Sequence, residues 1–114
     1  MTIKNLTRGK TLAKPFGICS SIFSKAKGLM FSSRQKKALV FPFGSEKIIS
    51  LHMLFVFYPI DVLFLDKNKI VVDMKKDFSP FTFYSSRKKA MYAVEMPSGT
   101  IKKSKTGIGD KIGF

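Results

Sequence analysis

The segment IDVLFLDKNKIVVDM, Ile60 to Met74, decides the fold. It reads as two strands, 60–65 and 70–74, joined by the polar loop Asp66-Lys-Asn-Lys69, which has the length of a hairpin connection. In the first strand Ile60, Val62 and Phe64 point one way and Asp61, Leu63 and Leu65 the other. Both sets are mostly apolar. A strand of this kind has to be covered on both faces, so it belongs inside a sheet.

Strand signals continue outward on both sides. Downstream, Phe81 to Tyr84 is a short aromatic strand, and Met91 to Met96 is another, ended by the turn Pro97-Ser-Gly-Thr100. Gly107-Ile-Gly-Asp110 then turns the chain into a last short strand. Upstream, Ala38 to Phe43 is a strand expected to stop at Pro42 and Gly44. Ile48 to Tyr58 is apolar on every face, and its periodicity does not separate strand from buried helical turn. Only at Ser21 to Met30 does the period approach 3.6, through Ile22, Phe23, Ala26, Leu29 and Met30. Ser20 or Ser21 caps that stretch, Gly28 ends it, and Lys25 and Lys27 suit the dipole near its end. This predicts one short helix over about 21–28. Short strands at Ile3 to Leu6 and Thr11 to Cys19 flank Arg8-Gly9, with Pro15 demoting its neighbourhood to a sheet edge. The pattern is mainly β, a small sandwich or barrel with one short helix and room for further helical turns.

Composition sets the remaining bounds. A chain of 114 residues is one domain, 1–114, with one core. At 45% hydrophobic it is too apolar for a disordered basic tail. One cysteine, Cys19, and one histidine, His52, exclude an internal disulfide and a Cys/His zinc module. No metal or cofactor is nominated. The longest uncharged run, Ile48 to Ile60, falls short of the roughly 20 apolar residues of a membrane-spanning helix. The basic N-terminus carries no secretory signal pattern, so a cytoplasmic protein is expected.

Several short motifs occur in a fixed order: Gly28-Leu-Met-Phe31, Leu39-Val-Phe-Pro-Phe43, Leu51-His-Met53, Pro59-Ile-Asp-Val62 with Phe64-Leu-Asp66, Ala90-Met-Tyr-Ala-Val-Glu95, Pro97-Ser-Gly-Thr100 and Gly107-Ile-Gly-Asp110. Together they resemble the family called domain of unknown function 192, or uncharacterised protein family 0127, over nearly the whole chain. The resemblance implies a jelly-roll-like β-sandwich with a short helix. It implies no activity.

Candidate chemistry is sparse. His52 sits in an apolar run, and Asp61 and Glu95 are the acids most deeply embedded in apolar strand patterns, with Asp73 behind them. A buried carboxylate is costly unless paired, so these two need partners, from a turn, a hydroxyl or a lysine. If their strands pair, His52, Asp61 and Glu95 are expected to converge on a ligand pocket. Cys19 has no histidine in sequence reach, and Ser98 has no obvious base. The glycines of 107–113 lack the following helix of a dinucleotide site. No catalytic residue is nominated, and an enzyme is not the expectation.

Charge is the other candidate signal, although each cluster taken singly reads as a solvated loop or face. Lys+Arg number 21 against seven acids, a formal net charge of +14. The bases cluster at Arg34, Lys36 and Lys37, at Lys75 and Lys76, at Arg87, Lys88 and Lys89, and at Lys102, Lys103 and Lys105. Such a field attracts nucleic acid or an anionic surface without reading sequence. Only three of the 21 bases are arginine, which weighs against bidentate recognition. The expectation is a cationic binding or interaction module of unassigned partner. A sequence-tolerant nucleic-acid binder is the first alternative, and a pocket protein built on His52, Asp61 and Glu95 the second.

Overall fold

The computed structural model describes residues 3–13, 16–18, 38–52, 59–79 and 82–114. Its strands are β1 (Ile3–Asn5), β2 (Lys10–Ala13), β3 (Phe16–Ile18), β4 (Ala38–Lys47), β5 (Ser50–His52), β6 (Ile60–Leu65), β7 (Val71–Phe78), β8 (Phe83–Ser85), β9 (Ala90–Pro97) and β10 (Ile112–Gly113). One short helix, α1 (Thr100–Ser104), lies between β9 and β10. The helix expected over 21–28, Cys19 and the cluster Arg34, Lys36 and Lys37 fall outside the described residues.

The hairpin read from Ile60 to Met74 is there. β6 and β7 pair antiparallel, and Asp66 closes the loop by accepting the Asn68 and Ile70 amides at 2.8 and 3.0 Å. All six residues of β6 are buried, because the strand lies inside a five-stranded sheet of order β3-β4-β9-β6-β7. β3, beside Pro15, is an edge strand of this sheet and pairs parallel with β4.

Alternation sorts the core into two layers. Leu63 and Leu65 of β6, with Val94 and Met96 of β9, pack against Ile3, Leu12, Ile101 and Ile112. That face is covered by the three-stranded sheet β10-β1-β2 and by α1. Ile60, Val62 and Phe64, with Ala93 of β9, pack on the other face against Phe41, Ile49 and Phe78. The β5–β8 pair lies near that side, through Tyr84 packed against the same cluster. The fold is therefore mainly β, a small sandwich or barrel.

Two elements differ from expectation for physical reasons. β4 does not stop at Pro42. Proline cannot donate to the ladder, so the pairing with β9 breaks after Pro42↔Tyr92 and resumes at Lys47↔Ala90. Gly44, at φ 75°, takes the left-handed conformation inside that irregularity. The second is α1, where the sequence marks only a turn. Gly99 enters it at φ 93°, and its first amides bond to a carboxylate from another strand. No local pattern encodes that partner.

Candidate functional site

All seven acids of the chain lie among the described residues. Where each one is spent tells what the charge of the protein is free to do. Asp61 leaves β6 toward the layer of Met96, 1% exposed, and accepts the amides of Asp77, Gly99 and Ile101 at 3.0, 3.1 and 2.9 Å. It ties the β7 end and the start of α1 to the sheet. Asp73, fully buried, accepts Arg87 Nε and Nη2 at 3.1 and 2.7 Å, the Tyr84 hydroxyl at 2.7 Å, and the amides of Met74 and Arg87 at 2.9 Å each. Burial alone would raise its pKa. The bonds from Arg87, Tyr84 and Met74 outweigh burial and hold it at about 2.

Asp110 is the third of this kind. It accepts Arg8 Nε at 2.7 Å, and Asn5 Nδ2 and the Gly107 amide at 2.9 Å each. Against burial, these donors lower its pKa. The half-buried and exposed acids also have partners: Asp66 its loop amides, Glu46 the Lys67 amide at 3.0 Å, and Asp77 the Ser98 hydroxyl. Both ion pairs among the described residues, Arg8–Asp110 and Arg87–Asp73, use arginine. No lysine there pairs with a side-chain carboxylate.

Glu95 is the exception. It stands on β9, the middle strand of the five, 4% exposed, opposite Leu39 and Val62 and two residues from Ala93. No cation reaches it among the described residues, and its Oε2 is buried with no hydrogen-bond partner. Burial pushes its carboxyl up to about 8, so it is mostly protonated at neutral pH.

The pocket expected from His52, Asp61 and Glu95 does not assemble as read. Glu95 lies opposite Val62, the neighbour of Asp61 in sequence, so the two carboxyls point to opposite faces of the sheet. They share no cavity through the sheet. Burial of both acids is as expected, and so is the set of turn amides on Asp61. The partner expected for Glu95 is missing among the described residues. His52 lies on β5, paired with Phe83 in a separate two-stranded sheet.

The basic clusters divide. Arg87 is committed to Asp73, although its side chain is 70% exposed, while Lys88 and Lys89 are exposed. Lys102 and Lys103 are exposed on α1, and Lys105 is the residue that ends it, in the left-handed conformation at φ 56°. Sequence reasoning missed Lys10. It stands on β2, which packs on α1, so Lys10 and Lys103 line one open cleft of about 320 Å³. Thr11, Ser98, Thr100 and Ser104 line it as well. Lys10 lies some ninety residues before Lys103, and no local pattern joins them. Among the described residues no three His, Cys, Asp or Glu side chains group to hold a metal ion, and no helix there is long and apolar enough to cross a membrane.

Comparison with known proteins follows the same outline. Residues 5–114 match the family model DUF192, described as an uncharacterised ACR. A UPF0127 protein of Thermococcus sibiricus is 38% identical over 110 residues, 95% of this chain and 71% of that one. A UPF0127 protein of Pyrococcus furiosus is 34% identical over 109 residues, 95% of this chain and 93% of that one. Among solved structures, a candidate transcription regulator from Sinorhizobium meliloti superposes with a TM-score of 0.86 at 20% identity, covering 98% of this chain and 89% of that one. A protein of unknown function from Novosphingobium aromaticivorans gives 0.85 at 18%, covering 99% and 82%. At such identities the likeness is one of fold.

Proposed function

The chain belongs to the uncharacterised DUF192 family, and from its own side chains we propose that it is a cationic binding module for an anionic partner, without catalytic machinery. One observation carries this reading. Every acid but the protonated Glu95 is spent on backbone amides, hydroxyls, asparagine or arginine, and the lysines of the described residues pair with none of them. Lysine charge that the fold does not use for itself lowers stability through self-repulsion and remains available to a partner. Exposed Lys88, Lys89, Lys102, Lys103 and Lys105 carry this charge, with Lys10 added by the fold. Arg87 is a weaker member of its cluster, because its guanidinium already holds Asp73.

Nucleic acid is the partner class with a second argument behind it. The similar fold from Sinorhizobium meliloti is described as a candidate transcription regulator. Retention of a single-stranded oligonucleotide, titrated from low to physiological salt, tests the reading. A binder of this kind keeps roughly micromolar affinity at 0.15 M salt. Loss of nearly all affinity there, where screening acts within roughly 8 Å, would mark a passive cation and refute it.

A further inference from the structure

The cleft between β2 and α1 holds both committed acceptors and uncommitted donors. Thr100 Oγ1 donates to the Pro97 carbonyl at 2.7 Å, and Ser98 Oγ donates to the Asp77 carboxylate. Their protons are spent, so both oxygens meet an occupant as acceptors. Lys10 and Lys103, which line the same cleft, have no ion-pair partner among the described residues, and the Thr11 hydroxyl has no hydrogen bond there. The two ammonium groups can only donate, and the Thr11 hydroxyl still has its proton to give. The amides of Gly99 and Ile101 are taken by Asp61, so the site is built of side chains and not of a helix end. Asp77, which accepts from Ser98, places negative charge beside that hydroxyl, where an anion is disfavoured.

We propose that this cleft binds a phosphorylated sugar unit. Its phosphate lies between Lys10, Lys103 and Thr11, and its ring hydroxyls donate to Ser98 and Thr100. The proposal rests on the reading of the lysines as binding equipment and adds what they hold. Two ammonium groups suit a dianion, and the hydroxyl acceptors suit a polyol and not a bare ion. A volume of about 320 Å³ is at the small end of ligand sites, the size of one such unit. The same chemistry is offered by a free sugar phosphate and by the 5′-phosphorylated end of a nucleic acid.

Amide chemical-shift titrations at 0.15 M salt decide it, with ribose 5-phosphate, ribose and inorganic phosphate as probes. Ribose 5-phosphate should bind at least about tenfold more tightly than either part, with shifts confined to 10–12 and 97–105. Lys10→Gln with Lys103→Gln should remove that binding, while Lys75→Gln with Lys76→Gln leaves it unchanged. Lys10, Lys76 and Lys103 are exposed and Lys75 is half-buried, and dispersed amide spectra confirm that each variant folds. A matched pair of oligonucleotides, with and without a 5′-phosphate, separates the sources: a preference for the phosphorylated one, lost in the first variant, assigns the site to chain ends. Equal affinity for the pair beside tight ribose 5-phosphate binding assigns it to a free ligand. Equal binding of phosphate and ribose 5-phosphate, or binding untouched by the first variant, overturns the proposal. If oligonucleotide retention survives at 0.15 M salt while no ribose 5-phosphate binds, the cleft is refuted and the cationic module stands.

Discussion

Replacing Glu95 with Gln should flatten the dependence of stability on pH between about 4.5 and about 8. The carboxyl stands near 4.5 unfolded and about 8 in the folded protein. Between those values the folded state holds one proton more than the unfolded state. Stability therefore falls as pH rises from about 4.5 to about 8, and is flat outside that window. One unit is worth about 1.4 kcal/mol, so burial of this group removes about 3 kcal/mol between pH 5 and pH 8. The buried Asp73 and Asp110 have lowered pKa values and stay ionised across this window, and His52 is the one histidine of the chain, a residue type that titrates there. Urea unfolding of wild type and Glu95→Gln at pH 5, 6, 7 and 8 measures the effect. The difference between the two curves matters, since it cancels His52 and the cost of the unpaired amide. Parallel curves would show that Glu95 ionises normally, and the argument from its missing partner would fail.

Two further outcomes follow from the paired acids. Asp61→Ala strands the amides of Asp77, Gly99 and Ile101 and should cost about 3 kcal/mol or more in denaturant unfolding, with amide exchange rising first over 97–104. Asp73 has the opposite linkage to Glu95: its lowered pKa adds stability that is complete above about 4 and lost as pH falls to about 2. Wild type should lose about 2 kcal/mol more than Asp73→Asn over that interval, and equal losses would mean the Arg87 and Tyr84 bonds do not form in solution.

The hairpin at 60–74 was legible because both of its signals are local. The apolar run marks a strand buried on two faces, and Asp66 marks the loop it closes. The extent of β4 was not legible, because a proline that ends a strand in isolation is tolerated where a glycine bulge carries the chain past it. The burial of Asp61 and Glu95 followed from their apolar neighbours, but their separation did not. It depends on the register that sets Glu95 opposite Val62, one residue away from Asp61, and one residue reverses the face. The cleft was hidden for a similar reason. Lys10 and Lys103 meet through the packing of β2 on α1, and α1 itself is held by a carboxylate 40 residues upstream.

The claim that the lysines serve a partner and not the fold is open to a single comparison. A variant with Lys10, Lys102, Lys103 and Lys105 all changed to Gln is melted beside the wild type, and both are titrated with the same oligonucleotide at 0.15 M salt. With no carboxylate paired to these lysines, the melting temperature should stay level or rise as self-repulsion falls, while affinity drops at least about tenfold. A lower melting temperature with unchanged affinity would contradict the account, since it would place these charges in the service of the fold.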